Sequence, residues 1–312
     1  MTKVFVSIGE CMVELAPQPA GLYAVGFAGD TFNTAFYARR CLSEDWSVAY
    51  FTAVGQDDVS DRMLAFMQGA GVATPDVLRL PERTVGLYMI SLKGAERSFS
   101  YWRSQSAAKC LADDPTRLEQ ALSSAKVAYF SGITLAILDP AARQRLLAAL
   151  SKARGRGVTI VFDPNLRPRL WASGQEMCAA IMAAAAVSDI VLPSHADEAL
   201  HFGDADPSAT LQRYGAAGVP TVVVKDGAAT ILASHEGQVA TYTPPPVSDI
   251  VDTTAAGDSF NGGYLAARLA GQTPQAAAGL AAALASFVVE HTGAIVSSDN
   301  FRAFQSHYRL ER

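Results

Sequence analysis

The sequence lacks the features that mark several large protein classes. Only 18% of its 312 residues are charged and half are apolar, whereas an average domain has roughly 25% charged residues; this composition excludes a disordered or linker-dominated protein. Basic residues are not in excess, since the net charge is −5, which argues against a strong sequence-independent grip on nucleic acid or on an anionic membrane. The four cysteines, Cys11, Cys41, Cys110 and Cys178, form no C-x-x-C pair, so neither a disulfide scaffold nor a zinc ribbon is indicated.

Long hydrophobic runs are also missing. The two most apolar stretches, residues 178–187 and 276–289, are rich in alanine and shorter than the roughly 20 residues of a membrane span. The apolar run at residues 4–8 is too short for a secretion signal, and Glu10 and Glu14 follow at once. We therefore expect a soluble, cytoplasmic protein with reduced cysteines.

What the sequence does contain is an alternation of short β-branched runs with longer segments of helical period. Several of the short runs are continuously apolar, as strands buried on both faces should be. The alternation predicts a mostly parallel central sheet covered by helices. The predicted strands are 4–8, 47–54, 127–131, 158–163, 189–192 and 221–225, and the predicted helices are 34–42, 60–70, 141–154, 175–187 and 256–270.

Two segments break this alternation. Residues 13–27 are rich in turn formers, and residues 85–103 have the pattern of two strands around a turn at Lys93-Gly94. We expect them to form a small β lid that projects from a single domain spanning residues 1–312. An isolated hairpin is marginal in water, so one face of the lid is expected to close over a ligand and the other to pack on a partner. The alternative is a monomer whose lid packs back on its own body.

The strongest local signal is the segment DTTAAGDSF at residues 252–260, which an apolar helix follows. Small residues at Ala255, Ala256 and Gly257 let the backbone approach a ligand closely, and the start of the helix presents unpaired N–H groups and a positive dipole end. The pattern indicates an anion-binding site, with Asp258 placed to act as a general base for a hydroxyl. The alternative is an N-capping aspartate after an ordinary turn.

Two arginines lie where an acidic ligand is expected. Arg103 follows Tyr101-Trp102 at the end of the lid, and Arg167 follows a predicted strand that ends at Asp163. Ligands bind beyond the carboxyl ends of strands in open α/β sheets, and the guanidinium fork suits a carboxylate. For each arginine alone, a surface salt bridge is the alternative.

The segment at 252–260 is similar to the C-terminal signature of the ribokinase-like (PfkB-type) carbohydrate kinases, D-T-x-G-A-G-D-x-F, with Ala255 where most members have glycine. The family's Gly-Gly turn followed by an asparagine resembles residues 29–33, with Ala28 in place of the first glycine. A third element, G-D-D-x-x-G, is matched in part at residues 55–58, with Asp61 where glycine is common. The resemblance covers essentially the whole chain and implies a three-layer α/β/α domain with a mostly parallel sheet and a small β lid.

Within the family, residues 9–14, 86–88, 97–106 (RSFSYWRSQS) and 162–171 (FDPNLRPRLW) resemble the members that use ATP to phosphorylate the 6-hydroxyl of 2-keto-3-deoxygluconate. This resemblance implies a base and an anion hole at Asp258, Gly257, Ala256 and Ala255. It implies sugar-acid contacts from Gly29, Asp30, Asn33, Tyr88, Tyr101, Arg103, Arg167 and Asp258. It implies nucleotide contacts from Asn165, Ser194, Lys225, Asp226, Gly227, Ala228, Ala255, Ala256 and Gly257. Lid-to-lid dimers occur in this family, so we expect a homodimer.

The metal site is less well matched. The family's N-x-x-E element corresponds to residues 194–197, where both diagnostic residues differ. We expect Mg²⁺ to be held largely by phosphates and water, with Asp197 or Glu198 as candidate contacts through water, and K⁺ is a further candidate cofactor.

Other functions stay open at this point. One alternative is a related kinase for fructose, ribose, a nucleoside or 2-keto-3-deoxygalactonate, and another is a non-catalytic sugar-acid-binding protein. A dinucleotide-dependent oxidoreductase fits less well, because no G-x-G-x-x-G opens a helix after the first strand.

Overall fold

The computed structural model describes residues 2–93, 96–308 and 310. The strands are β1 (Lys3–Ile8), β2 (Met12–Pro17), β3 (Tyr23–Ala28), β4 (Trp46–Phe51), β5 (Ala53–Gly55), β6 (Val72–Ala73), β7 (Leu78–Leu80), β8 (Leu87–Lys93), β9 (Glu96–Trp102), β10 (Ala125–Ser131), β11 (Thr159–Asp163), β12 (Ile190–Val191), β13 (Thr221–Val224), β14 (Ile231–His235) and β15 (Gln238–Tyr242). The α-helices are α1 (Asp30–Cys41), α2 (Asp58–Gly69), α3 (Pro115–Ser123), α4 (Gly132–Ile137), α5 (Pro140–Gly155), α6 (Gly174–Ala186), α7 (His195–Phe202), α8 (Pro207–Ala216), α9 (Ala256–Leu269), α10 (Pro274–Val289) and α11 (Ser298–Tyr308).

The main sheet has nine strands in the order β15-β14-β13-β12-β11-β10-β1-β4-β6. Neighbouring strands from β6 to β13 run parallel, and β14 and β15 add an antiparallel hairpin at one edge. The strand order changes direction at β1, which lies between β10 and β4. In open parallel sheets a ligand crevice forms beyond the carboxyl ends of the strands at such a point. The topology therefore places the functional site beyond the ends of β1, β10 and β11.

Both faces of this sheet are covered, because alternate residues along its central strands enter two separate apolar clusters. On β10, Tyr129 packs into the cluster formed with α1, α9 and α10, whereas Phe130 packs into the cluster formed with α3, α5 and α6. Burial on both faces explains why the strands are continuously apolar in the sequence. The predicted three-layer α/β/α architecture is confirmed.

A second, four-stranded sheet has the order β3-β2-β8-β9, and we call it the lid sheet. Its strands coincide with the two predicted lid segments, 13–27 and 85–103, except that the Gly94 of the predicted turn lies outside the described residues. One patch of the lid sheet is buried against Ala294, with Met12, Ala28, Tyr88 and Ile90. Other large apolar side chains stay exposed, and we call them the exposed lid patch: Leu22, Tyr23, Val25, Phe99, Tyr101 and Trp102.

Two element predictions differ from the structure. The strand predicted at 47–54 is broken at Thr52 into β4 and β5, and β5 leaves the main sheet to pair with β7. The helix predicted from Thr34 begins four residues earlier, at Asp30, because Gly29 is the N-cap and the segment we assigned to a turn is the first turn of α1. Across the described residues, no helix combines the length and apolar character needed to cross a membrane.

Candidate active site

The start of α9 forms one wall of the predicted crevice. Ala255, the N-cap of this helix, has a left-handed backbone conformation with φ of 61°, which is strained for a residue with a side chain. Ser259 N–H donates to the Ala255 carbonyl at 2.8 Å and closes the first turn. Gly257, two residues after Ala255, has open space beside it, since a β-carbon there would meet only Lys225 Nζ, at 3.8 Å. An anion can therefore approach the backbone N–H groups of the helix start.

Two glycines hold α9 tightly against its neighbours. A β-carbon at Gly262 would lie 2.8 Å from the backbone nitrogen of Ala38 and 2.9 Å from the carbonyl of Thr34, both in α1. A β-carbon at Gly263 would lie 3.1 Å from the Leu284 side chain of α10. Because α1 and α9 touch through backbone atoms, the starts of these two helices are held at a fixed distance.

Asp258 lies between these two helix starts. Asn33 Nδ2 donates to Asp258 Oδ2 at 2.8 Å, and Thr34 Oγ1 donates to the Asp258 carbonyl at 3.2 Å. The pKa of Asp258 is raised to about 7: burial is the largest cause and the charges of Asp30 and Asp163 add to it, whereas the Asn33 hydrogen bond and the charge of Lys225 oppose it. A carboxyl group with such a pKa can accept a proton near neutral pH.

Asp30 and Asn165 extend this polar line. Asn165 Nδ2 donates to Asp30 Oδ2 at 2.8 Å, and burial raises the pKa of Asp30 despite hydrogen bonds from Ser131 and Asn165. Asn165 has a φ of 34°, a strained conformation of the kind that concentrates at functional sites. We predicted Asn165 for the nucleotide side and Asp30 for the sugar side, and the structure links the two by a direct hydrogen bond.

Lys225 belongs to a buried network below the start of α9. Its Nζ donates to Asn261 Oδ1 at 3.0 Å and pairs with Asp163 Oδ2 at 3.4 Å. Asn261 Nδ2 in turn donates to Asp163 Oδ2 at 2.7 Å and to Tyr129 Oη at 3.1 Å. Asp163 is 4% exposed and Asn261 is fully buried, so the lysine is a fixed internal cation beside Gly257 and not a solvated charge at a strand end.

These groups fit a phosphate group better than a bare metal ion. N–H groups, a dipole end and the Lys225 cation all attract an anion. Over the residues that the structure describes, no three His, Cys, Asp or Glu side chains lie close enough to hold a metal. This donor set matches Mg²⁺ that keeps several of its waters and is bound largely through phosphates.

Two side chains on the lid side each donate a hydrogen bond to a carboxylate. Tyr88 Oη donates to Glu14, and Arg103 Nη2 donates to Glu10. Burial and the charge of Glu14 raise the pKa of Tyr88, which stays a neutral hydroxyl. Tyr101 is about half exposed, with its ring 6.0 Å from that of Tyr88.

The remaining predicted residues lie on loops that follow β11, β12 and β13. Arg167 is half exposed, and its Nη1 lies 3.6 Å from Asp197 Oδ2. Ser194 is the N-cap of α7 and forms a bridge to Lys225. The turn after β13 contains Gly227 with a φ of 55°, flanked by the other two predicted residues, Asp226 and Ala228.

Glu198 is placed differently from its neighbour Asp197. Its side chain is fully buried; Arg213 Nη2 donates to it at 2.7 Å, and Tyr214 Oη donates at 3.0 Å. Burial raises the pKa of Glu198 to about 7, opposed by Arg213. Both of its oxygens already have partners inside the protein, which leaves Asp197 as the more accessible of the two candidate metal contacts.

Our reading of the sequence missed three polar side chains of this site: Glu10, Tyr129 and Asn261. Asn261 lies three residues after Asp258 in an otherwise apolar helix, which places both on one side of α9. Glu10 is a carboxylate two residues after the end of a buried strand. The positions of Asn261 and Glu10 in the sequence could therefore have indicated a role in the site. Tyr129 could not have been found in this way, because its position in the sequence is typical of a buried strand residue.

Comparison with known proteins agrees with this geometry. The profile of the pfkB family carbohydrate kinases matches residues 2–300. A 2-dehydro-3-deoxygluconokinase of Dickeya dadantii (strain 3937) is 41% identical, with 95% of this chain and 97% of the relative aligned. The enzyme of that name from Escherichia coli (strain K12) is 39% identical, over 95% and 98% of the two chains.

A solved structure shares the fold. The fructokinase of Xylella fastidiosa with bound ATP superposes with a TM-score of 0.83 at 21% identity, over 99% of this chain and 100% of that chain. The ribokinase-like architecture predicted from the sequence is thereby confirmed. On the profile match and the two curated relatives together, this chain belongs to the pfkB family of carbohydrate kinases.

Proposed function

We propose that this protein transfers the γ-phosphoryl group of ATP to the 6-hydroxyl of 2-keto-3-deoxygluconate, also named 2-dehydro-3-deoxygluconate, and releases ADP. The observation that carries the proposal is Asp258, a buried carboxyl group with a pKa of about 7 at the start of α9. Both relatives compared above carry the name of this activity. The paired lid residues and Arg167 supply polar groups that suit a sugar acid.

The proposal gives each group of the site a part in the reaction. Asp258 accepts the proton of the attacking hydroxyl, and Asn33 orients the carboxylate through its 2.8 Å hydrogen bond. The N–H groups at Ala255 and Gly257 and the Lys225 cation stabilise negative charge on the transferred group. The Ala256 N–H, also predicted for this role, donates to the Thr253 carbonyl at 3.3 Å. Bound Mg²⁺ would neutralise phosphate charge, with water or the phosphates as its main ligands. Lid closure excludes water from the reacting groups.

A substrate panel tests the proposal directly. ADP release with 2-keto-3-deoxygluconate, its galactonate epimer, fructose and ribose should give the highest kcat/KM for the first. A higher value for a neutral sugar would favour a fructokinase or ribokinase activity, and binding without ADP release would favour a non-catalytic protein. The same assay in KCl against NaCl tests a K⁺ requirement.

Arg167→Ala should weaken recognition of the substrate carboxylate. We expect KM for the sugar acid to rise by about 30-fold or more, equivalent to a loss on the order of 2–4 kcal/mol, because one partner of a charge pair is removed. KM for ATP should change little. Steady-state kinetics with each substrate varied in turn measures both constants. An equal loss with a substrate that has no carboxylate would instead assign Arg167 to the phosphates or to the fold.

We further propose a homodimer built through the lid sheet. The exposed lid patch supports it: Trp102 on one edge strand is 58% exposed and Leu22 beside the other is 67% exposed, and large exposed apolar side chains often mark an interface. Light scattering at the assay concentration should give twice the chain mass. A monomeric mass with full activity would contradict the dimer, and Trp102→Glu offers a variant that should dissociate it.

A cytoplasmic location completes the proposal. All four cysteines are described, and each is a free thiol, as in a reducing compartment. A kinase also needs a supply of ATP. Fractionation of cells that express the protein would test the location.

A further inference from the structure

We infer that Glu10 is the positioning residue for Arg103 and, through Arg103, for the carboxylate of the sugar acid. This inference rests on the proposed function. Glu10 lies two residues after the end of β1 in the main sheet, and its side chain is 1% exposed. Arg103 comes directly after β9 of the lid sheet, and its side chain is 12% exposed. The hydrogen bond from Arg103 Nη2 to Glu10 Oε2 therefore joins the lid to the main sheet.

Close packing fixes Glu10 relative to the catalytic helices. A β-carbon at Gly29, the N-cap of α1, would lie 2.2 Å from the Glu10 carbonyl oxygen. A β-carbon at Gly86 would lie 2.9 Å from Glu10 Oε1 and 3.2 Å from the β-carbon of Arg103. Glycine at both positions admits this close contact. Since Gly29 N–H also lies 3.3 Å from Asn33 Oδ1, Glu10 is fixed within the same unit as Asn33 and Asp258.

The ion pair is only half satisfied. Arg103 Nη2 is bonded, whereas Arg103 Nε and Glu10 Oε1 are buried and find no hydrogen-bond partner within the described part of the chain. Buried polar atoms without partners are rare and call for an explanation. A buried ion pair with incomplete hydrogen bonding contributes little to stability, so stabilisation alone does not account for this one. Ligand binding does, because a guanidinium has five N–H donors and can hold two carboxylates at once.

The charge of Glu10 is what keeps Arg103 in place before the sugar acid binds. A buried cation without a partner is costly and moves towards water. With Glu10 ionised, the guanidinium is neutralised beside the sugar site and keeps its remaining donors for the substrate. Without that charge, we expect Arg103 to leave its position. The sugar acid would then bind more weakly, because part of its binding free energy would be used to return Arg103 to the site.

Glu10→Gln tests this role. We expect KM for 2-keto-3-deoxygluconate to rise by about tenfold, with kcat and KM for ATP within about threefold of the parent, because only ground-state binding of the sugar acid is affected. In an Arg103→Ala background, the same substitution should change KM by less than about twofold, since coupled residues are not additive. Asp189→Asn is the matched control: it removes a carboxylate paired with Arg154 at 2.8 Å, at the amino end of β12 and away from the site, and should leave all three constants unchanged.

Three results would overturn the inference. The first is an unchanged KM for the sugar acid in Glu10→Gln, and the second is a further tenfold rise in that KM when the substitution is made in the Arg103→Ala background. The third is a fall in kcat together with an equal rise in the KM values for both substrates. If Glu10→Gln does not fold, Glu10→Asp keeps the charge but shortens the side chain, and it should raise KM for the sugar acid in the same selective way. The parent protein is assayed first. Failure of the parent to phosphorylate the sugar acid removes the proposed function, whereas a normal parent with an unaffected Glu10→Gln removes only the role of Glu10.

Discussion

We expect Asp258→Asn to lower kcat by at least about 100-fold, because an amide cannot accept the proton of the attacking hydroxyl. The fold should survive. Asn33 can still donate to the amide oxygen, and the raised pKa of Asp258 means that its surroundings disfavour the charged form. Thermal unfolding of the variant should therefore occur at the parent's temperature or above it. A folded Asp258→Asn protein with kcat within a few-fold of the parent would remove Asp258 from the role of base.

The pH profile gives an independent check on the same residue. Only ionised Asp258 can act as the base, so kcat/KM should fall as the pH decreases through the pKa of about 7. The charge of Asp30 raises that pKa, so Asp30→Asn should move the acid limb to lower pH. The Asn33 hydrogen bond lowers it, so Asn33→Ala should move the limb to higher pH. If the two variants shift the acid limb in the same direction, or if neither shifts it, the limb belongs to the titration of another group.

After Asp258→Asn, we expect Lys225→Met to cause the largest loss of activity among the variants proposed. It removes the cation beside Gly257, and we expect kcat/KM for ATP to fall by about 100-fold. It also leaves Asp163 buried without its cation, which should cost about 3–5 kcal/mol of unfolding free energy. Kinetics with ATP as the varied substrate and a denaturant titration measure the two losses separately. Lys152→Met, which breaks an exposed pair with Glu119, is the control and should behave like the parent in both measurements.

A double variant separates the two roles of Lys225. Adding Asp163→Asn to Lys225→Met removes the uncompensated carboxylate while an amide remains for Asn261, so most of the lost stability should return. Activity should stay low, because the cation beside the phosphate site is still missing. Recovery of both stability and activity in the double variant would show that Lys225 serves only to neutralise Asp163.

The sequence predicted those parts of the site that lie close together along the chain. Residues 252–260 combine small residues, a helix start and a carboxylate within one turn, and the structure has the expected α9 with Asp258 in its first turn. The main strands were predictable because burial on both faces leaves an apolar run that can be seen without knowing its neighbours. The break at Thr52 was not, because it depends on β5 pairing with β7 and not on local composition.

Side-chain partners across the fold could not be predicted. Arg103 and Glu10 are 93 residues apart, and Lys225 and Asp163 are 62 apart. We predicted Lys225 from its place at a strand end, but its hydrogen bond to Asn261 of α9, 36 residues further along the chain, was not predicted. Such pairs depend on the relative positions of whole elements, and a single sequence carries no direct signal for them.

The placement of the lid sheet bears on how new specificities arise. Its strands enter the chain as two insertions, one between β1 and α1 and the other between β7 and α3, while Asp258, Asn33 and Lys225 are carried by other elements. The lid residues Tyr88, Tyr101 and Arg103 can therefore be exchanged, in evolution or by design, without rebuilding the elements that carry Asp258, Asn33 and Lys225. The Arg103–Glu10 hydrogen bond connects the lid sheet to the main sheet, so a grafted lid would have to supply a residue at position 103 that pairs with Glu10.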